Sequence, residues 1–185
     1  MISKTQLQSV IAKYHLGEIE KVKWEIQNNQ LQINFIAPSN VVLGSVKCYD
    51  FPIKEADLAI YNTKKLSNLI SICNGDLLLE IEKQKEMLLK LNISDMNFNL
   101  SYALSDPLLI KKVGRAKPVD GWYVELQLGS EEISNILRAK GAMSEIDNFL
   151  VTTTKDLDGQ DVCEFIFGDE IGHNNKITYQ LQGEI

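Results

Sequence analysis

Three segments of the chain carry large aliphatic residues at the same offsets, i, i+3 and i+4: Leu7/Val10/Ile11, Leu66/Leu69/Ile70 and Ile133/Ile136/Leu137. That spacing gathers the side chains on one stripe of a helix, and the runs between the copies alternate like half-buried strands. The copies recur at about 60 residues, so the repeating unit is one helix plus several strands, a piece too small to bury its own apolar face. The same step puts a fourth helix near residue ~195, beyond Ile185. Either the array has three units or its end is missing.

The 185 residues are 44% hydrophobic and 24% charged, enough for one large core or two small ones, and two small domains suit the repeat better. No apolar run approaches a membrane span, and the N-terminus MISKTQLQSV lacks a signal-peptide core, which predicts a cytoplasmic chain. Cys48, Cys73 and Cys163 are odd in number, far apart and set among apolar neighbours, the pattern of reduced, buried thiols.

A net charge of −6 normally counts against nucleic acid as a partner. The average conceals an asymmetry. Segments 3–14 and 63–73 hold Lys4, Lys13, Lys64 and Lys65 but no Asp or Glu, where an even spread of acids would place about three. On a helical wheel Lys64 points away from the apolar stripe while Lys13 and Lys65 lie on its flanks. The third helix is mixed: Arg138 projects outward and Lys140 lies near the C-terminal end, but Glu131 and Glu132 occupy the first turn, where the dipole favours acids.

Ser3 is the expected cap of the first helix, which ends near Tyr14. Val22–Ile26 and Leu31–Phe35 alternate about Asn28 and Asn29 as a hairpin should. Val41–Tyr49 and Leu58–Tyr61 are further strands, and a second helix opens at Asn62 or Thr63 and ends before the turn Asn74-Gly75. Leu77–Ile81, Met87–Ile93 and Met96–Tyr102 repeat the helix-then-three-strands order. The stretch Ser105–Gly121, with Pro107, Gly114, Pro118, Lys111, Lys112, Arg115 and Lys117, reads as a basic connector between domains. Beyond it come a strand over Trp122–Leu128, a helix over Ser130–Lys140, and strands over Phe149–Thr154, Val162–Phe167 and Ile177–Leu181.

Helices with one apolar face and alternating strands combine by packing helices on the buried side of antiparallel sheets, an α+β fold. The helices' outer surface stays open, and lysines without acids there form a positive stripe able to follow phosphates by charge alone. Base-specific reading is not implied, since nothing resembles a recognition helix or a row of stacking aromatics.

The order of elements, the segment DLAIYNTKKLSNLISICNGD from Asp57 to Asp76 and the connector SDPLLIKKVGRAKPVDGW from Ser105 to Trp122 resemble the DNA polymerase sliding clamps of tailed phages. In that family a strand ending in Ala-Ile-Tyr runs into the second helix, and an Asp-Pro followed by a Lys-Pro lies in the interdomain connector. Here these are Ala59-Ile60-Tyr61, Asp106-Pro107 and Lys117-Pro118. The resemblance implies a clamp-like domain over residues 1–104, a connector over 105–121 and an incomplete second domain over 122–185. It also implies a closed ring of head-to-tail subunits, trimeric in the phage proteins, that encircles duplex DNA and tethers the replicative polymerase after assembly by a clamp-loader ATPase.

By position Lys4, Lys13, Lys64, Lys65, Arg138 and Lys140 would face the hole, with Lys21 and Lys23 adding to it. Diffuse phosphate contacts suit a ring that slides, and an acidic exterior keeps DNA off the wrong surface. Leu108, Leu109, Ile110 and Val113 would line a pocket for partner peptides; the alternative is that they only cover the domain junction. Phage clamps carry two helix-bearing units in each of two domains, whereas this chain has three, so the resemblance implies a C-terminally truncated clamp in the host cytoplasm. The rival reading is a non-enzymatic, protein-binding adaptor of repeated α+β units whose lysines are merely solvated.

No catalytic, metal or cofactor site is expected. His15 and His173 have no partner at ligand spacing, and no phosphate-cradling Gly-Lys-Ser/Thr occurs. The acidic run Asp156–Asp161 lacks the full calcium-loop pattern and reads as a hairpin turn at Asp158-Gly159.

Overall fold

The computed structural model describes residues 1–85, 87–114, 121, 124–156, 158–168 and 175–182. The chain divides into two compact units, Met1–Lys117 and Pro118–Ile185.

In unit 1 a short strand β1 (Ile2–Ser3) leads into α1 (Lys4–His15). The Ser3 hydroxyl accepts from the Gln6 amide at 3.1 Å, and Leu16 closes the helix in the left-handed region at φ 47°. Strands β2 (Val22–Gln27) and β3 (Gln30–Ile36) form a two-residue hairpin. Asn28 and Asn29 both have positive φ, 51° and 61°, the handedness that matches strand twist. β4 (Leu43–Cys48) and β5 (Ala56–Ile60) follow, then α2 (Thr63–Ser71), β6 (Asp76–Gln84), β7 (Met87–Ser94), β8 (Asn99–Ala103) and a 3-10 turn at Pro107–Leu109. Asn62 caps α2 by accepting from the Lys65 amide at 2.7 Å. Gly44 pairs with Phe35 on β3, and a side chain at Gly44 would collide with that ring.

The strands form two antiparallel sheets, ordered β4-β3-β2-β5 and β1-β6-β7-β8. The strand before each helix joins the sheet that follows the other helix: β1 pairs with β6, and β5 with β2. This exchange binds the two helix-plus-strands modules into one body around a shared core. From α1 that core takes Leu7, Val10, Ile11 and Tyr14, from α2 Leu66 and Ile70, and from the sheets Trp24, Leu31, Ile33, Leu58, Leu77 and Leu91.

Unit 2 holds α3 (Ser130–Ala142), β9 (Phe149–Lys155), β10 (Asp161–Gly168) and β11 (Lys176–Gln182), with sheet order β11-β10-β9. Its core is small: Met143, Cys163, Phe165 and Phe167, backed by Leu126, Ile136 and Ala139. The α+β fold read from the sequence is present, with antiparallel ladders throughout.

Three sequence expectations differ from the structure. Residues 124–128 are not a strand, because no ladder partner lies beside them among the described residues, and Trp122 and Tyr123 fall outside those residues. The third apolar stripe is not buried as a whole: Ile136 packs on the core of unit 2, whereas Ile133 and Leu137 are 46% and 65% exposed, α3 being the one helix among the described residues of that unit. Met96–Phe98 belongs to a turn, not a strand, because the Asp95 carboxylate binds the amides of Asn97 and Phe98 at 2.7 and 2.6 Å.

Candidate nucleic-acid interface

In unit 1 the two helices lie antiparallel. At one end the Lys4 ammonium donates to the carbonyls of Ser71 and Cys73 at 2.7 and 2.6 Å, joining the start of α1 to the end of α2. At the other end the Tyr14 and Thr63 hydroxyls lie 3.3 Å apart, joining the end of α1 to the start of α2. Thr63 also donates to the Glu20 carbonyl at 3.0 Å. Burial pushes the Tyr14 phenol far up, so it stays neutral and serves as a polar tie in an apolar core.

With their apolar stripes turned inward, α1 and α2 present Thr5, Gln6, Ser9, Lys13, Lys64, Lys65, Asn68 and Ser71 outward. Neither helix carries an acid. Lys13, Lys64 and Lys65 are exposed and form no ion pair among the described residues, and the Tyr14–Thr63 contact places all three toward one end of the helix pair. An acid does stand at the edge of this face: the Glu20 carboxylate accepts from the Lys64 amide at 3.0 Å at the start of α2, where the helix dipole favours a negative charge.

The other expected cations divide. Lys4 spends its ammonium on carbonyls at the C-terminal end of α2. In unit 2 Arg138 is exposed on α3, but the Lys140 ammonium donates to the carbonyls of Ser144 and Ile146. Lys23 lies on the sheet face opposite the helices, because its β2 neighbours Val22 and Trp24 are the buried ones. There it pairs with Asp57 at 2.6 Å and Glu25 at 3.4 Å, and the Asp57 hydrogen bond holds its pKa up. Lys21 sits over the Tyr61 ring, 4.2 Å from its centroid. Lys23 therefore adds nothing to the helical face.

A groove of about 480 Å³ opens beside the connector, within unit 1. Its apolar lining comes from Ile19, Ile36, Ala37, Pro38, Leu109 and Val113, and Glu18, Glu20, Lys21 and Lys111 add charge. Two of the four connector residues singled out in the sequence, Leu109 and Val113, line it. Ile110 turns inward and is 9% exposed, while Leu108 is 90% exposed and outside the lining. Sequence reasoning missed the walls contributed by Glu18–Lys21 and Ile36–Asn40. Only the packing of the chain brings these loops beside the connector, and neither carries a local signal.

Cys48, Cys73 and Cys163 are free and buried, and burial raises each thiol. No group of three or more metal-ligating side chains converges among the described residues, and His173 lies outside them. No helix among the described residues is long and apolar enough to cross a membrane.

No family model and no curated protein matches the sequence. Solved structures do. PCNA from A. fulgidus, solved with the C-terminal region of FEN-1 bound, has a TM-score of 0.66 at 15% identity over 98% of this chain and 70% of that one. The proliferating cellular nuclear antigen of Entamoeba histolytica gives 0.62 at 15% identity, over 98% and 71%. The DNA polymerase sliding clamp of Caulobacter crescentus gives 0.66 at 10% identity over 98% of this chain, which spans 50% of that clamp's length. At such identities the likeness defines the fold, and the fold is that of sliding clamps.

Proposed function

We propose that the chain is a subunit of a DNA polymerase processivity clamp, related to those of tailed phages and without catalytic activity of its own. It forms a ring with further copies, trimeric in the full-length phage case, encircles duplex DNA without regard to sequence, tethers the replicative polymerase and is assembled by a clamp-loader ATPase in the host cytoplasm. The observation that carries this reading is the acid-free outer face of α1 and α2, bearing Lys13, Lys64 and Lys65, on a clamp fold. Mobile ammonium groups on an open surface attract phosphates without fixing a register, which is what sliding requires. Lys13, Lys64 and Lys65 of unit 1 and Arg138 of unit 2 are the DNA-facing cations. Lys4 and Lys140 add charge while holding helix ends.

The groove beside the connector is the site for a partner peptide, with Leu109 and Val113 in its lining, and Ile110, buried, and Leu108, exposed, next to them along the chain. A lining that mixes apolar residues with Glu18, Glu20, Lys21 and Lys111 suits a short segment with one or two large apolar anchors. The adaptor reading keeps one observation in its favour, the engagement of Lys4 and Lys140 by backbone carbonyls. Charge reversal separates the two. The triple variant Lys13→Glu, Lys64→Glu, Lys65→Glu should abolish the protein's stimulation of processive synthesis by its polymerase and loader while leaving the fold intact; unchanged product lengths would refute the clamp reading.

A further inference from the structure

We propose that His15 and Glu20 form a proton-operated charge switch at the end of the helix pair where Lys13, Lys64 and Lys65 gather. Proton uptake by His15 cancels the charge of the acid at the edge of that face. The consequence for DNA rests on the clamp reading; the switch itself does not.

The loop after α1 fixes the acid. The amides of Glu18 and Ile19 donate to the His15 carbonyl at 2.9 and 2.7 Å, which folds the loop back on the helix end. Glu20 is then held from α2. Its carbonyl accepts from the Thr63 amide and hydroxyl, both at 3.0 Å, and Oε2 of its carboxylate accepts from the Lys64 amide at 3.0 Å. The other carboxylate oxygen, Oε1, lies 4.0 Å from His15 Nε2. That distance is beyond a hydrogen bond but well within the range of a charge interaction. With the two side chains 17% and 37% exposed, solvent screens the pair only in part.

The tautomer decides where the proton goes. His15 Nδ1 is 3.0 Å from the Ile19 carbonyl, and a carbonyl only accepts, so Nδ1 carries the hydrogen of the neutral ring. The lone pair is therefore on Nε2, the atom facing Glu20. A proton taken up there turns the ring into a cation and a donor toward the carboxylate. The end of α1 favours that charge, because His15 lies in its last turn. Around the pair stand Lys13 in the last turn of α1, Glu18 in the loop, Lys64 at the start of α2, Lys21 over the Tyr61 ring, and the phenols of Tyr14 and Tyr102, which burial keeps protonated. Of these side-chain types only imidazole changes charge between about pH 5.5 and 8. The lysine end thus gains one positive charge as the pH falls through that range, and attraction for phosphates follows charge.

NMR of the full chain and titration with duplex DNA test this. From about pH 8 to 5.5 the Lys64 amide should shift with the same midpoint as the His15 ring, because the Glu20 carboxylate stands between them, and Glu20→Gln should remove that shift. A Lys64 amide that ignores the His15 titration overturns the switch. At low ionic strength the wild type should bind duplex DNA at least about threefold more tightly at the lower pH. His15→Gln should lose that gain, His15→Lys should bind at the higher pH as the wild type does at the lower, and His173→Gln should keep the wild-type response. A gain that survives His15→Gln also overturns the proposal. Failure to bind DNA at either pH, with the Lys64 amide still following the ring, refutes the clamp reading and supports the switch, so the two failures are separate results.

Discussion

Lys4 shows how a residue's type can be legible while its work is not. The sequence marks it as one more cation on an acid-free helix, but its ammonium satisfies two carbonyls at the end of α2, because the antiparallel packing of α1 and α2 brings a sequence-distant helix end within reach. Lys4→Met should lower unfolding stability by about 1.5 kcal/mol, the low end of the range for hydrogen bonds to a charged group, since the ammonium is only partly buried. The exposed Lys64→Met should change it by less than about 0.5 kcal/mol, and chemical denaturation of both variants checks the contrast. Asp95 was equally silent. Its carboxylate takes the amides of Asn74, Asn97 and Phe98 at 2.6, 2.7 and 2.6 Å, which hold its pKa below the usual carboxylate range. A depressed pKa in the folded state gives stability that is full above the unfolded-state pKa and is lost as the pH falls through the folded one. Asp95→Ala should therefore melt at a lower temperature than the wild type at pH 7 and converge with it in strong acid; a constant difference across that range would deny the carboxylate this role.

Elements were legible where local chemistry and burial agree. Ser3 and Asn62 cap their helices as their side chains dictate, and the Asn28-Asn29 turn sets the register of β2 and β3 because both residues accept positive φ. The stripes of α1 and α2 are buried for the reason the spacing gives, each helix having a sheet and a second helix to pack against. The same spacing in α3 and the same alternation in residues 124–128 misled, since periodicity reports which face is apolar and not whether a partner is there to cover it. Leu66 measures what full coverage is worth. Leu66→Ala should cost about 2–5 kcal/mol, the price of a cavity between α2 and its neighbours, and thermal or urea unfolding should show unit 1 losing that stability cooperatively. A loss below about 1 kcal/mol would mean that the helix interface is looser than its burial implies.

For the molecule, acidity on average and lysines on two helices are compatible because the sheets take the acids. On the outer face of the β4-β3-β2-β5 sheet Lys23 is neutralised by Glu25 and Asp57, while Lys13, Lys64 and Lys65 on the helical face have no such partners among the described residues. The two faces of unit 1 thus differ in the sign of charge they offer to a polyanion. That asymmetry could be read from acid-free segments once helices were recognised; the groove beside the connector could not, since its walls come from loops far apart in sequence. The clamp fold and the lysine face together make contact between duplex DNA and the outer surface of α1 and α2 the central claim. Photo-crosslinking tests it directly, with a benzophenone placed at Asn68 on the helical face or at Gln32 on the opposite sheet face. Incubated with duplex DNA at low ionic strength, the Asn68 probe should crosslink strongly, with a yield that falls steeply as salt is added, and the Gln32 probe should crosslink weakly. Equal yields from the two faces, or a stronger yield from Gln32, would contradict the account.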